Sequence, residues 1–132
     1  MPVVPSGSLS YSALAGRRSA DPMPAVAPTG CSVRVVRIDP GPRTPHVHRE
    51  SVEIAYVAAG TGTAWEGDAH HPVAPGDLLV VPAGVPHATV ATGDEPLVLV
   101  CFFPHPDLAA NIEELAGPER GAGPEDLSAG RS

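Results

Sequence analysis

From residue 31 onward the apolar residues come in short runs, broken at regular intervals by glycine- and proline-rich turns. The runs are 32–38, 45–48, 52–58, 62–66, 70–73, 78–81, 87–91 and 97–103. Between them stand DPGPR, AAGTG, EGD, APGD, PAGVP and TGDEP, each with the glycine or proline that a tight reversal favours. Short runs at about 8–10-residue spacing predict an all-β chain, folded as an antiparallel sandwich or small barrel. One helix is expected near the end. Asp107 can N-cap 108–116, Leu108, Ile112 and Leu115 share a face, and Gly117 stops the turn.

The flanks read differently. Residues 1–30 are rich in proline and show no sustained period, which predicts an extended arm with one short strand near 9–14. Residues 117–132 hold only one large apolar residue, Leu127, and read as a flexible tail. The folded domain is then 31–116. A chain of 132 residues fits a single domain.

Composition narrows the chemistry. Seventeen prolines and fourteen glycines disfavour long helices. Lysine is absent and all eight cations are arginine, which excludes a lysine Schiff base and a Walker-type phosphate loop. A net charge of −7 argues against a nucleic-acid partner. The longest apolar run, 97–103, is far short of the ~20 residues of a membrane helix, and the N-terminal stretch has no apolar signal core. These features predict a cytoplasmic protein with no membrane partner. In that compartment Cys31 and Cys101 are expected as buried free thiols. The Ala, Gly, Pro, Arg and Val bias hints at a GC-rich bacterial genome.

Three of the six histidines stand at informative places. His46 and His48 are two apart, so on a strand their side chains share a face. A turn through 49–51 can bring Glu53 in on the next strand. His87 follows the tight PAGVP turn and opens a later strand that a barrel would lay beside the first pair. Three imidazoles and one carboxylate make an N₃O donor set for one divalent transition metal: Fe(II), Mn, Co, Ni, Cu or Zn.

The segment Gly41-PRTP-His46-V-His48-RESV-Glu53-IAYVAA-Gly60 resembles the first conserved motif of the cupins. The segment Gly76-DLLVV-Pro82-A-Gly84-VP-His87-ATV-Ala91 resembles the second. There are two departures. Gly41 is one residue closer to the histidine pair than usual, and Ala91 stands where the family often has Asn. The resemblance covers about residues 31–105. It implies a cupin-type antiparallel β-barrel, a double-stranded β-helix or jelly roll, with the metal inside, commonly as a homodimer. It also implies that Ala91, if it faces inward with His87, widens the pocket beside the metal.

Parity along the strand puts Ala55 and Val57 on the face of Glu53, so these two and Ala91 are the expected substrate pocket. Tyr56 should face away, and Trp65 is expected in the core or at an interface. Arg34 and Arg37 have opposite parity, so only one can face inward. His70 and His71 belong to a hairpin outside both motifs. The apolar arm residues Val3, Val4, Leu9, Tyr11 and Leu14 suggest pairing with a sheet edge, in cis or across a dimer. Together these readings predict a metal-dependent enzyme for a small organic molecule. The first expectation is a dioxygenase-type oxidation. The alternatives are a non-redox isomerase, cyclase or lyase with Glu53 or a metal-activated hydroxide as base, and a non-catalytic binding protein. A DNA-binding regulator is disfavoured, because the arm is too short and proline-rich for a helix-turn-helix.

Overall fold

The computed structural model describes residues 3–23 and 30–121. Its strands are β1 (Tyr11–Leu14), β2 (Arg17–Ala20), β3 (Ser32–Ile38), β4 (His46–Val47), β5 (Glu53–Ala59), β6 (Gly62–Glu66), β7 (Ala69–Val73), β8 (Leu78–Val81), β9 (His87–Ala91), β10 (Leu97–Phe103) and β11 (Glu113–Glu114). They form two antiparallel sheets, ordered β1-β2-β3-β10-β5-β8 and β11-β4-β9-β6-β7. Every predicted run from 32 to 103 appears as a strand, with ends shifted by at most two residues.

Alternation explains how the sheets pack. Along β5, Glu53, Ala55 and Val57 are buried while Ile54, Tyr56 and Ala58 face outward. Along β10, Leu97, Leu99, Cys101 and Phe103 point in, and Val98, Val100 and Phe102 stand on the other face. The inward residues meet Val36 and Ile38 of β3, and Val73 and Ala91 of the second sheet, in one apolar cluster. Each fully buried side chain of this kind contributes roughly 1.5–3 kcal/mol. Packing is tight at Gly62, where an added Cβ would run into the Val90 carbonyl and lie 2.8 Å from Leu97 Cδ2.

Three expectations need correction. The sheets do not close into one barrel: among the described residues β1 and β8 edge the first sheet, and β7 and β11 the second. The helix at 108–116 does not form. Asp107 does make the expected cap, its Oδ1 accepting the Ala110 N–H at 3.1 Å. The chain then opens after one turn, because the Asn111 side chain accepts the Glu50 N–H at 2.9 Å and β11 pairs with β4.

The stretch 117–132 is not a free tail in its described part. Arg120 exchanges both backbone hydrogen bonds with Arg43, its guanidinium lies 4.8 Å over the Trp65 ring, and Trp65 Nε1 donates to the Gly121 carbonyl. Residues 122–132 lie outside the described residues. The arm carries the expected short strand as β1, which pairs with the unexpected β2, and β2 adds to the edge of β3 in the same chain. Gly16, with φ +68°, supplies the left-handed backbone of that reversal. No helix among the described residues is long and apolar enough to cross a membrane.

Candidate functional site

His46 pairs with His87 across β4 and β9, which sets two imidazoles side by side on the second sheet, ring centroids 4.3 Å apart. His48 follows on the same face, 5.0 Å from His46 and 5.2 Å from His87. Glu53 reaches in from β5 of the other sheet. The four ligand atoms lie within 4.8 Å of one another, and all four residues are buried. The sequence-expected donor set is therefore brought together from both layers of the sandwich. His70 and His71 stand apart on β7, where His70 stacks on Trp65 at 4.5 Å.

The backbone fixes which nitrogens face inward. His48 Nδ1–H donates to the Asn111 carbonyl at 3.0 Å, and His87 Nδ1–H donates to the Val85 carbonyl at 2.9 Å. A carbonyl only accepts, so both protons are turned outward and both Nε2 lone pairs inward. Those two Nε2 atoms lie 3.0 and 3.2 Å from the same oxygen, Glu53 Oε1. Three acceptors converging on one point repel unless positive charge sits among them. A proton on an imidazole or a metal ion meets that demand. Outward carbonyl acceptors that orient ligand histidines are the usual support of a metal site. The residues thus fit a divalent transition metal held by His46, His48, Glu53 and His87.

The electrostatics agree. Burial pushes the Glu53 carboxyl up, but the imidazoles of His48 and His87 more than reverse it and hold the group well below the usual carboxylate range. Burial, then His87 and Arg17, hold His46 well below its ordinary value, in the neutral form a metal ligand requires. Cys101, deep beside Glu53, stays a thiol: burial first, then the charge and hydrogen bond of Glu53, push it well up.

A cavity of about 610 Å³ opens against this cluster. Its lining corrects the expected pocket. Ala55, Val57 and Ala91 do not reach it and belong to the packed cluster instead. Parity sends Ala55 and Val57 inward as expected, but they lie further along β5, where the sheets are filled. The cavity instead takes Leu14 and Arg17 from the N-terminal hairpin, Arg34 and Val36 from β3, Arg43 from the turn before β4, and Leu108 from the C-terminal segment. Arg34 is the inward arginine of β3. Arg17, Arg43 and Asn111 were not singled out from the sequence. The available signals were Gly16 between two short alternating stretches, and a lone Arg43 three residues before His46.

Two facing antiparallel sheets with a His₃–carboxylate cluster between them define a double-stranded β-helix protein built around a metal-type site. The Cupin domain profile matches residues 34–103, more than half of the chain, and the protein belongs to the cupin family. Solved structures agree. A candidate sugar phosphate isomerase of Acidithiobacillus ferrooxidans is 28% identical, with 66% of this chain and 58% of that one covered, at a TM-score of 0.58. The match thus spans less than two thirds of that relative's length. A sugar phosphate isomerase of Silicibacter pomeroyi is 26% identical over 77% of this chain and 74% of its own, at 0.67. A Streptomyces nucleoside dehydratase, 15% identical, shares the fold over 87% of this chain and 91% of its own, at 0.70. No curated protein matches the sequence.

Proposed function

We propose that this cupin is a metal-dependent enzyme acting on a small organic molecule held in the cavity. The observation that carries the reading is the convergence of His48 Nε2, His87 Nε2 and Glu53 Oε1 at the cavity wall, with the imidazole protons turned away to carbonyls. His46, His48, Glu53 and His87 would hold the ion, which when bound supplies Lewis-acid polarisation of a substrate oxygen or, for a redox-active ion, dioxygen chemistry.

Of these, the non-redox reading, an isomerase, cyclase or lyase, is favoured by two structures of 26–28% identity that bear the name of sugar phosphate isomerase. The dioxygenase-type oxidation expected from the sequence is the second reading, since the N₃O donor set suits a redox-active ion as well. The protein's own part is common to both. The carboxylate of Glu53, kept ionised, supplies the anionic donor of the set. The Asn111 and Val85 carbonyls keep His48 and His87 in one tautomer. Leu108 and Phe103 line the cavity, with the Phe103 ring 4.8 Å from that of His48.

The test is metal analysis of protein purified without oxygen, followed by dioxygen-uptake and isomerisation screens on the same sample. Close to one transition-metal ion per chain, lost in His46→Ala and His48→Ala and kept in His70→Ala, is expected. Full occupancy in the first two variants would place the site elsewhere. Dioxygen uptake with substrate would favour the second reading over the first.

We also propose that the chain pairs with a second copy through the outer face of β5, β8 and β10. Tyr56, Leu78, Val80 and Phe102 stand exposed on these adjacent strands, an apolar face of the kind a partner covers.

A further inference from the structure

Two of the four donors sit at the ends of one short turn. His48 stands just past β4 and Glu53 opens β5, yet His48 Nε2 lies 3.0 Å from Glu53 Oε1. Whatever fixes the turn and the His48 ring therefore fixes half of the donor set. Both are held by a single residue from outside either histidine motif. The Asn111 backbone carbonyl accepts His48 Nδ1–H at 3.0 Å, and the Asn111 side-chain Oδ1 accepts the Glu50 N–H at 2.9 Å. The first contact sets the tautomer and rotation of the imidazole. The second pins the turn that carries the chain from His48 to Glu53.

Asn111 is itself firmly placed. It is only 4% exposed, and its N–H donates at 2.8 Å to the carbonyl of Leu108, a member of the apolar cluster. Beyond it, β11 pairs with β4, and the Leu115 N–H donates to the Pro45 carbonyl at 3.0 Å. Ties on both sides of Asn111 present its two oxygens from a fixed backbone. Its Nδ2, by contrast, has no acceptor among the described residues. The buried amide is thus seated for what its oxygen holds, and not as part of a closed network of its own.

We propose that Asn111 is a positioning residue of the metal site. Its two oxygens hold the His48 ring and the turn to Glu53, so the C-terminal segment helps to set metal affinity. The inference rests on the reading of His46, His48, Glu53 and His87 as a metal site. A partner that orients a ligand histidine is worth about 10–100-fold in metal affinity. Without the Asn111 side chain the Glu50 N–H turns to water, the turn shifts, and His48 moves with it. His87 is oriented separately, by the Val85 carbonyl, and keeps its place.

The experiment titrates Co(II), read by visible absorption and by Zn(II) competition, into chelator-treated full-length chain. It compares the wild type with Asn111→Ala, Asn111→Asp and Leu97→Ala. Asn111→Ala should weaken the ion about 10–100-fold. Asn111→Asp keeps an oxygen acceptor for the Glu50 N–H and should recover most of that loss. Leu97→Ala, which damages the core far from the site, should keep wild-type affinity in its folded fraction. Nitrogen-15 spectra of the metal-free proteins supply the second readout. His48 should be a single Nδ1–H tautomer in the wild type and a mixture in Asn111→Ala, while His87 stays Nδ1–H in both. Wild-type affinity in Asn111→Ala, or equal loss in the Ala and Asp variants, would overturn the proposal. So would a His87 tautomer that changes together with that of His48, because that is general loosening. Wild-type protein that binds no Co(II), with a His48 tautomer that still answers to Asn111, would sink the metal reading and leave the positioning of His48 standing.

Discussion

The space between the two sheets has two ends, built from the same strands and opposite in character. Towards Gly62 and Leu97 it is filled: Ile38, Val57 and Leu97 are fully buried, and there is no room for even one more carbon at Gly62. Towards Glu53 and His87 it is hollow and lined with arginine, histidine and carboxylate. Strand β5 runs from one regime into the other, with Glu53 at the cavity and Val57 in the packed core two inward positions later. The apolar end contributes the stability, and that allows the polar end to hold groups that would rather be in water.

The sharpest way to break this division is Leu97→Ala. It opens a cavity in the filled end and should cost about 2–5 kcal/mol in a urea titration. The folded fraction should keep its metal, because no ligand leans on Leu97. A cost under about 1 kcal/mol would mean that the filled end is not the stabilising core. His46→Ala at the other end should invert the pattern. His46 Nδ1 has no partner among the described residues, so metal-free protein should lose about 1 kcal/mol or less while metal binding collapses.

The same division decides what could be read from the sequence. The filled end and the strands around it were legible, since glycine and proline mark each reversal and alternation marks each inward residue. Half of the metal-type quartet was legible because an i, i+2 histidine pair needs no tertiary knowledge to share a face; Glu53 and His87 joined it through the two cupin-like motifs. Depth was not legible: parity sends Ala55 and Val57 inward but cannot say where along β5 the cavity ends. Strand β2 was missed because Arg17-Arg18-Ser19-Ala20 lacks an apolar run, and Arg17 and Arg43 went with it, since a lone arginine near a turn looks solvated. The helix at 108–116 failed for a nonlocal reason. Its cap was read correctly, but Asn111 is captured by Glu50 and His48 from the far side of the chain.

Acid should act on the hollow end first. Burial, together with His87 and Arg17, keeps His46 below its ordinary value in the folded chain, whereas the unfolded chain takes a proton near about 6.5. Below that pH the unfolded state binds more protons than the folded one, so stability falls with pH, by up to about 1.4 kcal/mol per pH unit for one group. Glu53, held below the carboxylate range when folded, adds loss of the same sign at lower pH. Chelator-treated protein should therefore melt progressively lower from about pH 7 to pH 5. The His46→Ala variant should show a flatter curve over that range. Parallel curves for the two proteins would remove His46 from the acid response.

The smallest effect on the single chain should come from outside both ends. Leu78 and Val80 on β8 are 65% and 62% exposed, so Leu78→Ser with Val80→Ser should change the intrinsic stability of one chain by only about 0.5 kcal/mol. Metal content should stay as it is, since neither residue lines the cavity against the His₃–carboxylate cluster. The readout is sedimentation at several protein concentrations. A second copy seated on β5, β8 and β10 buries these side chains, so the wild type should sediment as a dimer and the double variant should dissociate. An unchanged sedimentation coefficient would leave this face without its proposed partner. Dissociation accompanied by metal loss would instead show that the outer face of the six-stranded sheet and the cluster on its inner side are not independent.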